Sequence, residues 1–594
     1  MRHHLAPFLL AAAGLITATT AAGAVIDVDI TGVEGELKDN VAAFLSLKRY
    51  ANAPDLDQDR VDRLALRARR EATDALEPFG YYEAEATVTV TPRQQGGWKA
   101  VVAVLPGEPV ILDGAEVAIR GPGENEPFLA EVLQTTTLAV GERLSHTDYD
   151  RLKGELQRVA ASHGYLDASF PRRELRVDVA KRTAEALLTL DTGERYRFGR
   201  TTIQQSFLDE DLVQRYLRYE EGDWYDAQLL LRTQFALDDT DYFSVVEVLP
   251  DARDRDNLTV PIQINGEKNK RYRYRVGVGY ATDTEWRLLL GWTNRQLNRR
   301  GHRLSAEGKL SKIETSLDLN YVIPWKDPAL EKLSFRLLAG SVERGDITTT
   351  GTSFRPSLTQ VRGRWQRVLF LNLDYTSDSV PGGGSTADDG IPQPQSVNTQ
   401  RNLLLVPGIS FALLPAGFVN VDAAGRGLYA ELLGSASALG SDSNFARLLL
   451  RDEHRLDLGG PWHLVLRGEA GTSAVGDFDE LPAQYRFFAG GDRSVRGYGY
   501  NELSPTDAEG NKVGGRHLLV GSVEIERDLP RNFGVAAFLD AGNAFDRFGD
   551  PLEYSAGVGI RYRLPFLLLG LDVAQSLSES GRSPHIHLNF MPLL

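Results

Sequence analysis

The sequence predicts a multidomain fold in which three α+β modules of β-α-α-β-β order, over residues 25–267, precede a transmembrane antiparallel β-barrel of sixteen strands over residues 268–594. Two patterns predict it. In the first half a helix-helix-strand-strand plan recurs with a period of roughly eighty residues. In the second half helical periodicity gives way to alternation of large apolar side chains with charged or small ones. A third observation sets the route across a membrane. Beyond residue 24 no stretch of 18 or more apolar residues is long enough for a spanning helix, so any span must be built from strands closed on themselves.

The first residues have the plan of an export signal. Met1-Arg2-His3-His4 is a short basic start, the run from Leu5 to Thr20 is apolar, and Ala22-Gly23-Ala24 is a small-x-small cleavage site. Residues 1–24 are therefore expected to be a secretory signal peptide. The net charge of −15, with no lysine-rich tract to reverse it locally, excludes nucleic acid as a partner. Cysteine is absent, so an exported chain must take its stability from packing and strand hydrogen bonds.

The repeat carries three marks, Gly80-Tyr81-Tyr82, Gly164-Tyr165-Leu166 and Asp241-Tyr242-Phe243. Ahead of the first, Leu37, Val41, Phe44 and Leu45 share one helical face, and Val61, Leu64, Ala65, Ala68 and Leu76 share another. After it, Ala84, Ala86, Val88 and Val90 alternate with Glu85, Thr87, Thr89 and Thr91, the period of a strand with one buried face. In the second unit Tyr149, Leu152, Leu156, Val159 and Ala160 form the helix face, with strands expected from 173 to 190. A glycine before an aromatic ends a helix in a left-handed conformation while the ring closes the core. The modules are bounded at 25–106, 107–191 and 192–267, and they resemble polypeptide-transport-associated (POTRA) domains. A three-stranded sheet of this kind leaves an edge to which an extended client chain can add.

From residue 268 onward the barrel pattern opens with Tyr272, Tyr274, Val276, Val278 and Tyr280 against Arg271, Arg273, Arg275, Gly277 and Gly279. Comparable segments follow at 303–312, 314–323, 333–342, 357–365, 369–376, 403–413, 427–439, 445–458, 462–472, 517–529, 533–539, 552–564, 567–576 and 585–590. Apolar-out and polar-in is what a lipid-embedded barrel requires, and sixteen strands at about twenty residues each, turns included, fill the region. The short turn Pro324-Trp325-Lys326-Asp327-Pro328 is expected on the periplasmic side, and the Gly/Pro-rich run 377–395 outside.

One stretch stands apart: Phe487-Phe488-Ala489-Gly490-Gly491-Asp492-Arg493-Ser494-Val495-Arg496-Gly497-Tyr498 puts an arginine in a glycine-rich loop among strands. Such an arginine needs carboxylate partners. Alternation points Val523 and Ile525 toward lipid and Glu524 inward, and it points Leu539 outward and Asp540 inward. A guanidinium with five donors suits two such lumenal acceptors. Gly490, Gly491 and Gly497 permit the tight backbone path, and Tyr498 is placed to pack on the wall.

This stretch resembles the loop motif of the BamA/TamA outer-membrane assembly superfamily, whose Val-Arg-Gly-aromatic core is Val495-Arg496-Gly497-Tyr498 here. Glu524 and Asp540 match the strand carboxylates that hold the loop arginine in that family. Three POTRA modules before one barrel resemble the TamA-type branch. The resemblance implies a Gram-negative outer-membrane protein, surrounded by outer-membrane lipid, that inserts client outer-membrane β-proteins, autotransporters among them. It implies a lateral seam between the first and last barrel strands, Tyr272, Tyr274 and Val276 on one side and Ile586, Leu588 and Phe590 on the other, with position 274 close to 588. It also implies that the first module meets a TamB-like periplasmic protein anchored in the inner membrane. The alternative is a two-partner-type secretion pore exporting a dedicated substrate. The tail Met591-Pro592-Leu593-Leu594 departs from the terminal aromatic common in outer-membrane barrels.

No enzyme is expected. Ser494 lacks the spacing of a nucleophile elbow, and no His-Glu-x-x-His occurs. His585 and His587 share a strand face without a third ligand in sequence, so neither a metal nor a cofactor is expected.

Overall fold

The computed structural model describes residues 25–94, 96–282, 285–381, 397–414, 427–564 and 567–592. The expected signal peptide and residues 593–594 of the tail lie outside the described residues. The chain forms two compact units: one holds the first two modules with segments 221–228 and 252–261, the other holds the barrel with segments 201–220, 229–251 and 262–271.

The first module runs β1 (Ile26–Thr31), α1 (Gly35–Phe44), α2 (Ser46–Arg49), α3 (Gln58–Asp74), β2 (Glu85–Pro92) and β3 (Trp98–Leu105). Its sheet has the order β1-β3-β2, with β3 parallel to β1 and antiparallel to β2. The Asp57 side chain caps α3 by accepting from the Arg60 N–H at 2.7 Å. Val61, Leu64, Ala68 and Ala72 form the face of α3 that the sheet covers. The short helix α2 interrupts the expected pair of helices because Leu45 leaves the helical conformation between α1 and α2, and this turn buries both Leu45 and Leu47 completely.

The second module repeats the plan with β4 (Ile111–Arg120), α4 (Pro127–Gln134), α5 (His146–Ser162), β5 (Ser169–Asp178) and β6 (Thr183–Asp191), in the order β4-β6-β5. Ser145 caps α5 by accepting from the Asp148 N–H, and Gly164 beyond its end adopts φ +97°. The third module has β7 (Arg197–Gln204), α6 (Glu210–Gln214), α7 (Ala227–Asp238), β8 (Phe243–Pro250) and β9 (Thr259–Lys268), in the order β7-β9-β8. Here Asp241 takes the left-handed position that glycine holds in the other two modules, at φ +62°.

Sixteen antiparallel strands form a closed barrel. The first eight are β10 (Tyr272–Ala281), β11 (Glu285–Asn294), β12 (Arg303–Ser311), β13 (Glu314–Pro324), β14 (Glu331–Arg344), β15 (Ile347–Arg362), β16 (Trp365–Pro381) and β17 (Val397–Leu413). The second eight are β18 (Tyr429–Ser435), β19 (Phe445–Gly459), β20 (Trp462–Val475), β21 (His517–Asp528), β22 (Phe533–Phe545), β23 (Glu553–Leu564), β24 (Leu567–Ser576) and β25 (His585–Pro592). The faces alternate as predicted: Leu539 is 61% exposed and its neighbour Asp540 only 3%. Between β21 and β22, Arg531 and Asn532 both have positive φ, the primed turn whose twist matches an antiparallel pair.

Four strand readings need correction. β11 has no counterpart among the segments expected from alternation, because Leu288-Leu289-Leu290 breaks the period, although its even-numbered residues Trp286 and Leu290 face outward. The segment 357–365 spans a turn: β15 ends at Arg362 and β16 starts at Trp365. β16 continues to Pro381, so 377–381 are strand and not loop, and 382–396 lie outside the described residues. The segment 427–439 ends early, since β18 stops at Ser435 and a 3-10 turn follows at Ser437–Leu439.

Candidate functional site

The loop joining β20 to β21, residues 476–516, folds back into the barrel and fastens to its wall at two places. Three local bridges narrow it, Phe487 opposite Gly515, Ala489 opposite Leu503 and Thr506 opposite Lys512. Gly490, Gly491 and Gly497 have φ near +100°, and a Cβ on Gly490 would lie 2.5 Å from the Gly499 carbonyl oxygen. The chain can make this path only with glycine there. Phe487, Ala489, Val495 and Tyr498 are then pressed against Leu449 of β19, Leu518 and Val520 of β21 and Ala544 of β22.

At the tip Arg496 is 1% exposed and every part of its guanidinium is engaged. Nε and Nη2 donate to the two oxygens of Asp540, both at 2.8 Å, a bidentate pair. Nη1 donates to Glu524 Oε2 at 2.7 Å, and Nη2 also donates to Ser522 Oγ at 3.2 Å. The Arg496 backbone N–H adds a bond to Asp540 Oδ2 at 3.1 Å. The face of the guanidinium lies 3.3 Å from the centroid of the Phe538 ring, a cation–π contact. The structure thus brings together Arg496, Glu524 and Asp540, the three charged groups singled out from sequence.

The network extends further than sequence reasoning took it. Arg561 of β23 donates to Glu524 Oε1 at 2.8 Å and to Asp572 of β24, and Arg467 of β20 donates to Ser522 Oγ at 3.1 Å. Three guanidiniums, Arg467, Arg496 and Arg561, therefore face three carboxylates, Glu524, Asp540 and Asp572. Balanced charge matters in a closed lumen, because an unpaired buried ion costs several kcal/mol, of the order of 3–5. The same parity that exposed Glu524 would have found Arg561 and Asp572 on their own strands. Tyr498 is fully buried, and its O–H donates to Glu553 Oε2 at 2.8 Å and lies 2.7 Å from Ser576 Oγ.

A second anchorage, unseen in the sequence, holds the start of the loop to β16. The Ala483 N–H donates to Asp378 Oδ2 at 2.9 Å, and Gln484 Nε2 and the Tyr485 O–H both donate to Asp374 Oδ2. Leu481 and Tyr485 pack with Phe370, Leu404, Val406 and Phe445 beside it.

Among the described residues the ring closes through one backbone pair, Ala281 of β10 opposite Asn589 of β25, supplemented by the Leu588 N–H donating to Thr282 Oγ1 at 3.3 Å. The two flanking interfaces are far longer. β10 pairs with β11 from Tyr272–Asn294 to Ala281–Glu285, and β24 pairs with β25 from Leu567–Pro592 to Ala574–His585. Tyr274 and Val276 are 73% and 71% exposed. The expected closeness of 274 to 588 is not found, because the antiparallel register sets 281 opposite 589 and carries 274 beyond the end of β25. Tyr272, Tyr274 and Val276 therefore form one face of an edge strand that Ile586 and Leu588 do not meet; the side chain of Phe590 lies outside the described residues. The loop reaches this edge directly: the Gly497 N–H donates to Nε2 of His587 on β25 at 3.3 Å. His587 thus serves the loop, and among the described residues no group of three or more His, Cys, Asp or Glu is arranged to hold a metal.

Apolar-out strands, a closed ring of sixteen of them and POTRA-type modules upstream define an outer-membrane barrel with periplasmic modules. Comparison with known proteins gives the family. Residues 296–590 match the Omp85 superfamily domain, residues 27–106 the first POTRA domain of TamA, and residues 196–265 the POTRA family described as a surface antigen variable number repeat. The chain belongs to the Omp85 superfamily that includes BamA and TamA. Its barrel lies in the outer membrane and its POTRA modules in the periplasm.

It is 22% identical over 516 residues to the outer membrane protein assembly factor BamA of Neisseria meningitidis serogroup B, covering 80% of this chain and 62% of that protein. Against BamA of Nitratidesulfovibrio vulgaris it is 30% identical over 161 residues, 25% of this chain and 20% of that protein. The chain thus spans less than two thirds of either relative. The crystal structure of BamA from Haemophilus ducreyi lacking POTRA domains 1–3 superposes with a TM-score of 0.64 at 15% identity, over 81% of this chain and 99% of that one, which shows the shared fold.

Proposed function

We propose that this protein assembles and inserts client outer-membrane β-proteins, autotransporters among them, without enzymatic chemistry, by opening the seam between β10 and β25. The seam's pairing carries the reading: among the described residues it is the one pair Ala281–Asn589, at the far end of β10. Along 272–280, where β10 has no β25 partner, the edge offers N–H and C=O groups that a client strand can satisfy, while the client's apolar face meets lipid. The driving force is the client's own folding, so no nucleotide is required. The POTRA edges receive the client first, and the first module meets a TamB-like protein anchored in the inner membrane. Support for insertion over a secretion pore comes from the lumenal loop, which is bound on two sides of the barrel.

Ala281→Cys with Asn589→Cys tests the seam in a chain that has no other cysteine. Under oxidation, assembly of a client barrel into vesicles holding this protein should fall about tenfold or more and recover on reduction. Undiminished assembly with the disulfide formed would sink the lateral route. Export of a soluble substrate through the locked barrel would favour the secretion pore.

A further inference from the structure

At the periplasmic rim of the barrel a cavity of about 390 Å³ opens beneath the strand end at Ile323 and Pro324. Its place in the fold follows from the strand order. The chain enters β10 from the third module, so the loop between β11 and β12 and the turn between β13 and β14 lie at that same end. Arg300 comes from the first of these, Trp325 and Lys326 from the second, and Arg215 from the end of α6.

The cavity is continuous with the lipid-facing wall. On β13 the side chains of Leu317 and Ile323 share one parity, and Leu317 is exposed on the outside. Asp318 and Asn320, of opposite parity, line a separate lumenal cavity together with Arg273 and Arg336. Ile323 therefore faces lipid, with Trp325 exposed just below it at the level where indole rings mark a membrane interface.

The polar side of the cavity is cationic. Asp209 is bound by Arg299 at 3.0 Å and Asp211 lies 3.5 Å from Arg215 Nε, so both carboxylates already have a cation. Arg215 Nη1 donates to the Trp325 carbonyl at 2.9 Å, which fixes the turn over the cavity. Arg300 and Lys326 are exposed and have no ion-pair partner among the described residues. Leu212 and Ile323 supply an apolar wall beside them.

We propose that this cavity binds the headgroup of one anionic phospholipid from the periplasmic leaflet, the phosphate between Arg300 and Lys326 and the glycerol and upper acyl carbons against Leu212, Ile323 and Trp325. A free phosphate would use the cations but not the apolar wall. A lipid uses both, and it arrives from the side to which Ile323 faces. Binding there tethers the third module's α6 to the bilayer surface next to the barrel.

The full chain, stripped of lipid in detergent, is offered phosphatidylglycerol or phosphatidylcholine and read by native mass spectrometry. Retention of one phosphatidylglycerol should exceed that of phosphatidylcholine about tenfold, and Arg300→Gln with Lys326→Gln should reduce the preference to about twofold or less. Arg300→Lys, which keeps the charge, should retain it. Lys38→Gln with Arg70→Gln, which removes the same charge from the first module, should also leave it intact. The site variants must keep the heat-dependent gel shift of the folded barrel, since their side chains are exposed. Equal retention of the two lipids by the parent protein, or an unchanged preference in the site double variant, overturns the proposal. So does displacement of the lipid by equimolar inorganic phosphate, which would mark a free-anion site.

Discussion

Arg496 concentrates more polar bonds than any other loop side chain described above, and its removal should be felt well beyond the loop. Arg496→Ala leaves Asp540 and Glu524 buried and short of one cation, a loss of about 3–5 kcal/mol for a broken buried pair. We expect the temperature of the heat-dependent gel shift to fall, and Arg496→Lys to recover only part of it, because an ammonium cannot engage Asp540 through two parallel bonds. An unchanged shift in Arg496→Ala would mean that the clamp contributes nothing to the barrel. At this scale much was legible. A period of two decides which carboxylates enter the lumen, so Glu524 and Asp540 could be read from their strands. Arg561 and Asp572 obeyed the same rule and were missed because only the arginine in the loop advertised a need for partners. The bonds from Ala483 and Tyr485 to β16 lay beyond any such rule, since they join residues more than a hundred positions apart.

Among the elements, the second module shows how a repeat mark becomes a packed and titratable joint. Gly164 ends α5, and Tyr165, buried behind it, donates its O–H to Glu126 Oε1 at 2.9 Å while Arg195 lies over its ring. Burial raises the phenol's pKa to about 12, and the accepting Glu126 carboxylate adds to the shift. The neutral phenol is the form the fold prefers. Its contribution is therefore complete below pH 10 and lost as the pH rises from about 10 to about 12. In the periplasmic segment 25–267 the urea midpoint should drop over that interval, and Tyr165→Phe should flatten the drop; an equal drop in both would assign it to other groups. Elements of this kind were readable because helix and strand periods differ. β11 was not readable, since three consecutive leucines carry no period, and only pairing with β10 and β12 makes them a strand. The seam register also lay outside the sequence, because pairing across it depends on how far the whole barrel staggers on closure.

For the whole molecule, the division of the chain predicts which parts can be separated. The third module's segments 201–220 and 229–251 belong to the same compact unit as the barrel. Arg218 grips Asp327 in the β13–β14 turn through two bonds at 2.7 and 3.0 Å. The Tyr242 O–H donates to the Gly301 carbonyl, and Arg303 donates to the Thr240 carbonyl. Tyr242 is the aromatic of the third repeat mark, so the residue that closes a module core in this plan also fastens the module to the loop between β11 and β12. A chain beginning at residue 192 should therefore keep a folded barrel with a gel shift within a few degrees of the parent, while losing client assembly because its receiving edges on the first two modules are gone. A chain beginning at residue 268 should shift at a clearly lower temperature, since it loses these bonds and exposes the rim groups they covered, Gly301, Arg303 and Asp327. Equal shifts for the two truncations would show that the third module is a passive spacer; full client assembly by the 192–594 chain would show instead that the first two modules are dispensable for delivery to the seam.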